Sequence, residues 1–151
     1  MKVLALGGSG GMGRYAVQYL YNIKQIEKIY VADVNSLSAK KFASHFDNRV
    51  EGLKLDIRDF ETLKSEMSKV DIVVNTTGPF FLFAEPILKA AIQTNTHYFD
   101  ICDDWEPTEK MLQMNEDAKK ANITAIIGLG ASPGLTNILA HMAISELDEV
   151  R

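Results

Sequence analysis

The stretch "VLALGGSGGMGRYAVQYL", residues 3–20, lies almost at the start of the chain and decides its fold. A short apolar run leads into five glycines within seven positions, and a segment with helical spacing follows. Glycine at this density costs conformational entropy on folding, so the loop is expected to have a specific role. A strand followed by a glycine turn and a helix predicts a phosphate-binding loop, because the backbone at such a turn can approach a bound phosphate closely.

The glycine loop matches the pattern G-x-G-x-x-G through Gly8, Gly10 and Gly13. Gly8 would permit the tight turn, Gly10 would let the backbone approach a pyrophosphate, and Gly13 would let the helix pack against the strand. The pattern alone is weak evidence for dinucleotide binding. The strand predicted before it and the helix predicted after it make that interpretation stronger. The alternative is a glycine-rich turn without a ligand. The loop assigned to cofactor binding also contains Ser9, Gly11 and Met12.

The rest of the chain alternates short apolar runs with helical patterns. Strands are predicted at residues 3–6, 29–32, 50–57, 72–75, 97–102 and 124–130. Helices are predicted at residues 12–23, 36–46, 60–67, 86–92, 108–121 and 135–147. Short buried strands separated by helices are typical of a parallel sheet covered on both faces. The predicted fold is a doubly wound α/β Rossmann sheet in three layers, α/β/α, with strand order 3-2-1-4-5-6.

Local signals place the ends and faces of these helices. Ser36 and Asp59 are predicted to cap the second and third helices, and Pro86 fits the first turn of the fourth. In the first helix, the apolar face that we expect to meet the sheet consists of Met12, Ala16, Tyr19 or Leu20, and Ile23.

Composition limits the class of protein. The 151 residues are 46% hydrophobic and 24% charged, as in an ordinary globular domain. The net charge of −4 argues against a nucleic-acid or anionic-membrane partner, which would need a basic surface. The sequence shows neither a signal peptide nor a transmembrane segment. Cys102 is the only cysteine, so no intramolecular disulfide can form and a cytoplasmic location is expected.

Asp33 ends the second strand, 20 residues beyond Gly13. A carboxylate at this point can accept hydrogen bonds from the adenosine ribose and would repel a 2′-phosphate. Val34, assigned to the same site, leads into a segment without arginine, so NAD is favoured over NADP. Lys40 and Lys41, one helical turn further, would partly offset that preference. The alternative is that Asp33 is a turn residue or a helix cap.

Two further loops follow strands of the predicted sheet. Asp56 and Ile57 end the third strand, where they would meet the adenine edge, unless Asp56 only caps the next helix. The segment "NTTGPFF" follows the fourth strand, at the switch point where such sheets bind ligands. An ordinary Gly-Pro loop is the alternative. The residues assigned to the nicotinamide end of the cofactor are Thr76, Thr77, Gly78, Pro79 and Phe80.

The segments "GGSGGMG", "ADVN", "LDIRD", "NTTGPFFLFAEPILKAAIQTNTHYFDICDD" and "GASPGLTNILA" together resemble the dinucleotide-binding domain of the saccharopine dehydrogenase family. The resemblance covers residues 3–140. It implies NAD(P)-linked hydride transfer at the C–N bond of an amino-acid substrate. It also implies that Asp103, Asp104 and Trp105 face the nicotinamide and substrate. Pro133, Gly134, Thr136 and Asn137 would line the entrance to a substrate domain.

Family members are generally longer and contain a second α/β domain that binds substrate and forms a homodimer. We therefore expect residues 1–151 to be the dinucleotide-binding domain, with that second domain absent from this chain. Asp103 is the candidate proton acceptor, although it also fits a helix cap or a solvated acid. No metal site is predicted, because the spacing around Cys102 matches no zinc pattern.

Two other functions are consistent with parts of the sequence. An atypical short-chain dehydrogenase or epimerase would also contain the glycine loop, but the chain has no Tyr-x-x-x-Lys pair. A non-catalytic NAD(P)-binding redox sensor would bind the cofactor without turnover.

Overall fold

Six parallel strands form one sheet in the order β3-β2-β1-β4-β5-β6, which confirms the predicted Rossmann topology. The computed structural model describes residues 1–149. The strands are β1 (Lys2–Leu6), β2 (Lys28–Asp33), β3 (Val50–Lys54), β4 (Ile72–Asn75), β5 (His97–Asp100) and β6 (Ala125–Ile126). The helices are α1 (Gly11–Tyr21), α2 (Ser36–Ala43), α3 (Phe60–Met67), α4 (Phe80–Gln93), α5 (Trp105–Leu112), α6 (Asn115–Lys120) and α7 (Leu135–Ser145).

The central strand β1 buries both of its faces. Val3 and Ala5 point into a core shared with α1 and α2, and Leu4 and Leu6 point into a core shared with α3 and α4. Burial of each such valine or leucine side chain contributes about 1.5–3 kcal/mol to stability. This explains why the first apolar run is continuous rather than alternating, as expected for a parallel sheet covered on both sides.

The strand register sets the position of the loops. Leu6 at the end of β1 pairs with Ala32 of β2 and with Asn75 of β4. The three strands therefore end at one level, and the loops that follow them open onto a common edge. The predicted site lies at that edge, where ligands bind in open α/β sheets.

The core-facing side of α1 agrees with the prediction only in part, since Leu20 and Ile23 pack against the core and the other predicted residues do not. Gly13 and Val17 are buried against the sheet, whereas Met12, Tyr15 and Tyr19 are exposed. A Cβ atom on Gly13 would lie 2.2 Å from the Gly7 carbonyl oxygen, so the glycine side of the helix makes the closest approach. Apolar periodicity favours the side with the larger residues and cannot detect a contact that requires the absence of a side chain.

Two helix starts also differ from the prediction. Asn35, rather than Ser36, caps α2, since its side-chain oxygen accepts from the Ser38 amide at 3.1 Å. Helix α4 begins at Phe80, so Pro86 lies inside it rather than in its first turn. Asp104 Oδ2 accepts from the Phe81 amide at 3.1 Å, which fixes that first turn through a distant residue. The predicted cap Asp59 is confirmed.

The helix predicted at residues 108–121 is divided into α5 and α6. Met114 lies between them, and its amide donates to the Met111 carbonyl in a tighter turn. Pro107 occupies the first turn of α5, where its missing amide hydrogen removes no intrahelical bond.

Part of the sheet is uncovered on the α1 side. Met12, Tyr15 and Tyr19 of α1, together with Val74 and Phe99 of the sheet, line an apolar groove of about 510 Å³. Helix α7 buries none of its residues, so its apolar side chains are also uncovered. Within residues 1–149, no helix has the length and apolar character needed to cross a membrane.

We predict that Gly13→Ala lowers the free energy of unfolding by about 1–3 kcal/mol or more, because the new methyl group overlaps the loop backbone. Gly11→Ala is the matched control, since its Cβ meets no atom within 4 Å. It should change stability by less than about 1 kcal/mol, in the stabilising direction. Urea unfolding followed by circular dichroism measures both. Equal stability of the two variants would contradict the close packing at Gly13.

Candidate functional site

A cleft of about 490 Å³ opens at the carboxyl ends of β1, β2, β3 and β4. A volume of this size is typical of small-molecule and cofactor sites. The cleft brings together eight of the predicted cofactor residues: Gly10, Asp33, Val34, Asp56, Ile57, Thr76, Thr77 and Gly78. Its lining is completed by residues that sequence reasoning did not assign: Leu6, Gly7, Ala32, Leu55, Arg58 and Phe83.

The glycine loop forms one wall of the cleft. Gly7 has a φ of +67°, which favours glycine, and its carbonyl accepts from the Gly10 amide at 2.9 Å. Helix α1 begins immediately afterwards, so the amides of Gly11, Met12 and Gly13 have no carbonyl partner within the helix. No acidic side chain lies in this first turn. The free amides and the helix dipole therefore favour an anion at this position.

The Met12 side chain contributes to the apolar groove rather than to the cleft. Its part in anion binding is thus limited to its amide. Gly8, Ser9, Gly11 and Gly13 support the loop from outside the cleft lining.

Two features of the cleft fit a polar ligand that approaches the backbone. Thr77 Oγ1 is buried and has no hydrogen-bond partner in the described part of the chain. A Cβ added to Gly7 would lie 3.1 Å from this hydroxyl, so Thr77 packs against the glycine turn. Buried hydroxyls are normally satisfied, and a ligand group would satisfy this one. At Gly10, the Gly7 oxygen is the only atom within 4 Å of an added Cβ, which leaves room above the loop.

Asp33 is held in a fixed orientation at the end of β2. The Ser9 hydroxyl donates to Asp33 Oδ2 at 2.5 Å, and the Asn35 amide donates to Oδ1 at 2.9 Å. Ser9 is only 6% exposed, so the pair is anchored in the fold. Each carboxylate oxygen retains a free lone pair for a ligand hydroxyl. The sequence places Ser9 in the loop but does not show that its side chain orients Asp33.

Asp56 forms an ion pair with Arg58 two residues later. Arg58 Nη2 lies 2.6 Å from Asp56 Oδ2, and both Nε and the amide of Arg58 donate to Oδ1. These hydrogen bonds from Arg58 lower the pKa of the Asp56 carboxyl to about 2. The carboxylate is thus already engaged, and the planar guanidinium of Arg58 becomes part of the cleft wall where adenine was predicted.

Thr76 connects the loop after β4 to the central strand. Its amide and its hydroxyl both donate to the Leu6 carbonyl, at 3.0 and 2.8 Å. The loop therefore remains next to the glycine turn. Beyond it, Pro79 is the N-terminal cap residue of α4, and Phe80 packs against the core. The phenylalanine that lines the cleft is Phe83 rather than the predicted Phe80.

A buried polar network joins the ends of β4 and β5. Asn75 Nδ2 donates to the Tyr98 hydroxyl at 3.1 Å, and that hydroxyl donates to Asp100 Oδ2 at 2.7 Å. Burial raises the pKa of Tyr98 well above its ordinary value, so the phenol stays protonated and remains a donor. Asn75 Oδ1 accepts from the Thr77 amide, and Asp100 Oδ1 accepts from the Gly128 amide. One network therefore fixes the loops after β4 and β6.

The predicted substrate-side residues lie beyond the cleft, at the same edge of the sheet. Asp104 precedes α5 and accepts from the Phe81 amide, whereas Asp103 and Trp105 are exposed. A second group precedes and begins α7: Pro133, Gly134, Thr136 and Asn137. Asn137 Oδ1 accepts from the Gly134 amide at 3.2 Å, which closes this turn.

Cys102 and His97 have structural contacts. Cys102 is buried beside Asp104 and Thr108, and burial raises the pKa of its thiol. His97 Nδ1 accepts from the Thr124 amide at 2.9 Å. Among residues 1–149, no group of three or more metal-ligating side chains is assembled.

Comparison with known proteins agrees with this geometry. The family model described as "Saccharopine dehydrogenase NADP binding domain" matches residues 3–126. The chain is 28% identical over 139 residues to the "Lipid droplet localized protein" of Caenorhabditis elegans, covering 85% of this chain and 32% of that protein. It is 26% identical to a saccharopine dehydrogenase [NADP(+), L-glutamate-forming] of Schizosaccharomyces pombe, covering 97% of this chain and 31% of that enzyme.

A solved structure shows the same fold. Apo saccharopine dehydrogenase (L-Glu forming) from Saccharomyces cerevisiae aligns over 96% of this chain and 31% of its own, with a TM-score of 0.81 and 23% identity. The chain spans about a third of the length of the curated relatives it matches. Because the family model covers most of the chain, the protein belongs to the family of saccharopine dehydrogenase NADP-binding domains.

Proposed function

We propose that this chain is the dinucleotide-binding domain of an NAD(P)-dependent oxidoreductase that acts on the C–N bond of an amino acid. The observation that carries the proposal is a single cleft bordered by the α1 N-terminus and by the oriented carboxylate of Asp33. The saccharopine dehydrogenases among its relatives support the reaction class.

Each part of the cleft has a role in this function. The free amides at the start of α1 bind the pyrophosphate. Asp33 accepts hydrogen bonds from the ribose hydroxyls, and Arg58 forms a flat wall for the adenine. Thr76, Thr77 and Gly78 position the nicotinamide end. The bound nicotinamide cofactor supplies or accepts the hydride.

We propose further that NAD binds more tightly than NADP. Asp33 forms no ion pair among residues 1–149, and its carboxylate would repel a 2′-phosphate. The family is named for NADP, and this carboxylate supports a different preference in this chain.

The protein should bind NADH, and Gly10→Val should abolish the binding, because the new side chain would occupy the space above the loop. Gln18→Val is the control, because Gln18 is exposed on the same helix and lies outside the cleft lining. Its dissociation constant should stay within about threefold of the original, a difference of less than about 0.7 kcal/mol. Calorimetry measures binding, and circular dichroism checks folding. Unchanged NADH binding by folded Gly10→Val would refute the role of the loop.

Asp33→Asn tests the cofactor preference. Removing the charge should strengthen NADPH binding by about tenfold, since a like charge near the phosphate costs on the order of 1–3 kcal/mol. NADH binding should weaken, because an amide accepts ribose hydrogen bonds less well than a carboxylate. Parallel calorimetric titrations of the two cofactors give the ratio. An unchanged ratio of the NADH and NADPH dissociation constants would show that Asp33 does not contact the adenosine ribose.

We propose that Asp103 accepts the proton released during amine oxidation. Its carboxylate is exposed directly after β5, next to Asp104, on the side of the sheet where the cofactor loops end. In steady-state assays of the full-length protein with a secondary-amine amino acid, Asp103→Asn should lower kcat by about a hundredfold. NADH affinity should remain unchanged, because Asp103 lies outside the cleft. Full activity of the variant would exclude this role.

The remaining parts of the function are proposals of the same kind. We propose an amino-acid substrate and a homodimer for the full-length protein, and the uncovered apolar groove and α7 support an association surface. We also propose a cytoplasmic location, supported by the single, unpaired Cys102. Cofactor binding without turnover by the full-length protein would instead support a redox sensor.

A further inference from the structure

We propose that a second anion site, formed by Arg14, Ser38 and Lys41 beside the glycine loop, takes the 2′-phosphate of NADP. This inference rests on the proposed dinucleotide-binding function and adds a second determinant of cofactor choice. In this arrangement NAD remains the tighter ligand because of Asp33, and NADP is also accepted because the second site offsets part of the repulsion.

The site is a pocket of about 230 Å³ where α1 and α2 meet. It is lined by Arg14, Ser38, Lys41, Phe42 and His45. No carboxylate lines this pocket, although the chain as a whole carries a net charge of −4. A pocket with two permanent cations, a hydroxyl group and an imidazole ring is suited to a phosphate group.

Arg14 is held in place by uncharged groups. Its Nε donates to the Ser9 carbonyl at 2.7 Å, and its guanidinium carbon lies 5.4 Å from the centre of the Phe42 ring. Neither Arg14 nor Lys41 forms an ion pair with any of residues 1–149. Their charges are therefore available to a ligand.

Ser9 connects this pocket to the carboxylate of Asp33, which is proposed to bind the ribose. Its hydroxyl donates to Asp33 Oδ2, and its carbonyl accepts from Arg14 Nε. A single buried residue thus separates the negative charge of Asp33 from the positive charge of Arg14. The 2′-phosphate is attached to one of the ribose oxygens that Asp33 is proposed to bind, so it would interact with both charges.

The two neighbouring lysines of α2 lie in different surroundings. Lys41 lines the pocket with Arg14, whereas Lys40 lines a separate cavity with Glu51 and Gly52. A Cβ on Gly52 would lie 2.5 Å from the Lys40 amide nitrogen, which shows that Lys40 packs on the β3 side of the helix. Sequence alone leaves both lysines as candidates to offset Asp33, and the structure assigns this role to Lys41.

The test is a parallel calorimetric titration of the protein with NADH and NADPH. The double variant Arg14→Gln/Lys41→Ala should weaken NADPH binding by about thirtyfold, as expected for the loss of charge-assisted hydrogen bonds. NADH binding should stay within about threefold, a difference below about 0.7 kcal/mol. Lys40→Ala, which removes a positive charge from the same helix, should leave both affinities within the same limit.

A second readout is the salt dependence. Raising the salt concentration should weaken NADPH binding more than NADH binding in the unsubstituted protein, and this difference should disappear in the double variant. The second site would be overturned if the double variant weakened the binding of NADH and NADPH equally. It would also be overturned if the double variant bound NADPH as tightly as the unsubstituted protein. Either result would leave the proposed function intact. Failure of the original protein to bind either cofactor would instead overturn the proposed function, and the second site with it.

Discussion

The close contact between Gly13 and the Gly7 carbonyl is the constraint on which the rest of the structure depends. It sets the rotation of α1, because the helix can approach the glycine loop after β1 this closely only on its glycine side. That rotation buries Val17 and directs Tyr15 and Tyr19 to the surface. It also places the start of α1 beside the cleft, whose lining includes the preceding residue Gly10. One missing side chain therefore determines both the packing of the helix and the direction of its dipole.

The opposite side of the cleft depends on hydrogen bonds rather than on close packing. The strands β4 and β5 end in Asn75 and Asp100, two polar residues that are almost fully buried. Tyr98 joins them, and no cation compensates the carboxylate of Asp100 within residues 1–149. Backbone amides and the phenol satisfy it instead. Such a network specifies one geometry, because every member left without its partner would cost about 1–3 kcal/mol.

The sequence predicts what local patterns encode and misses what distant residues decide. The topology follows from the glycine loop and the alternation of apolar runs, and the position of Asp33 follows from its distance to Gly13. Arg58 was missed because its role comes from an ion pair with Asp56, which no motif marks. Phe83 replaced Phe80 at the cleft because α4 begins at Phe80, in a turn held by Asp104. The hydrogen-bond network through Tyr98 could not be predicted from the sequence, because a tyrosine within an apolar strand is usually interpreted as a core residue.

Ser9 links Asp33 and Arg14, the two charged residues that we propose to bear on cofactor choice. Asp33 accepts from the hydroxyl of Ser9 and Arg14 donates to its carbonyl, so the two charges would act on a nearby phosphate with opposite signs. Each interaction is on the order of 1–3 kcal/mol at a partly exposed site. On this proposal, the free-energy difference between NAD and NADP binding is small, because it is the difference between an attraction and a repulsion of similar size. One substitution at Asp33 or Arg14 would then be enough to change the preferred cofactor, without a change in the glycine loop.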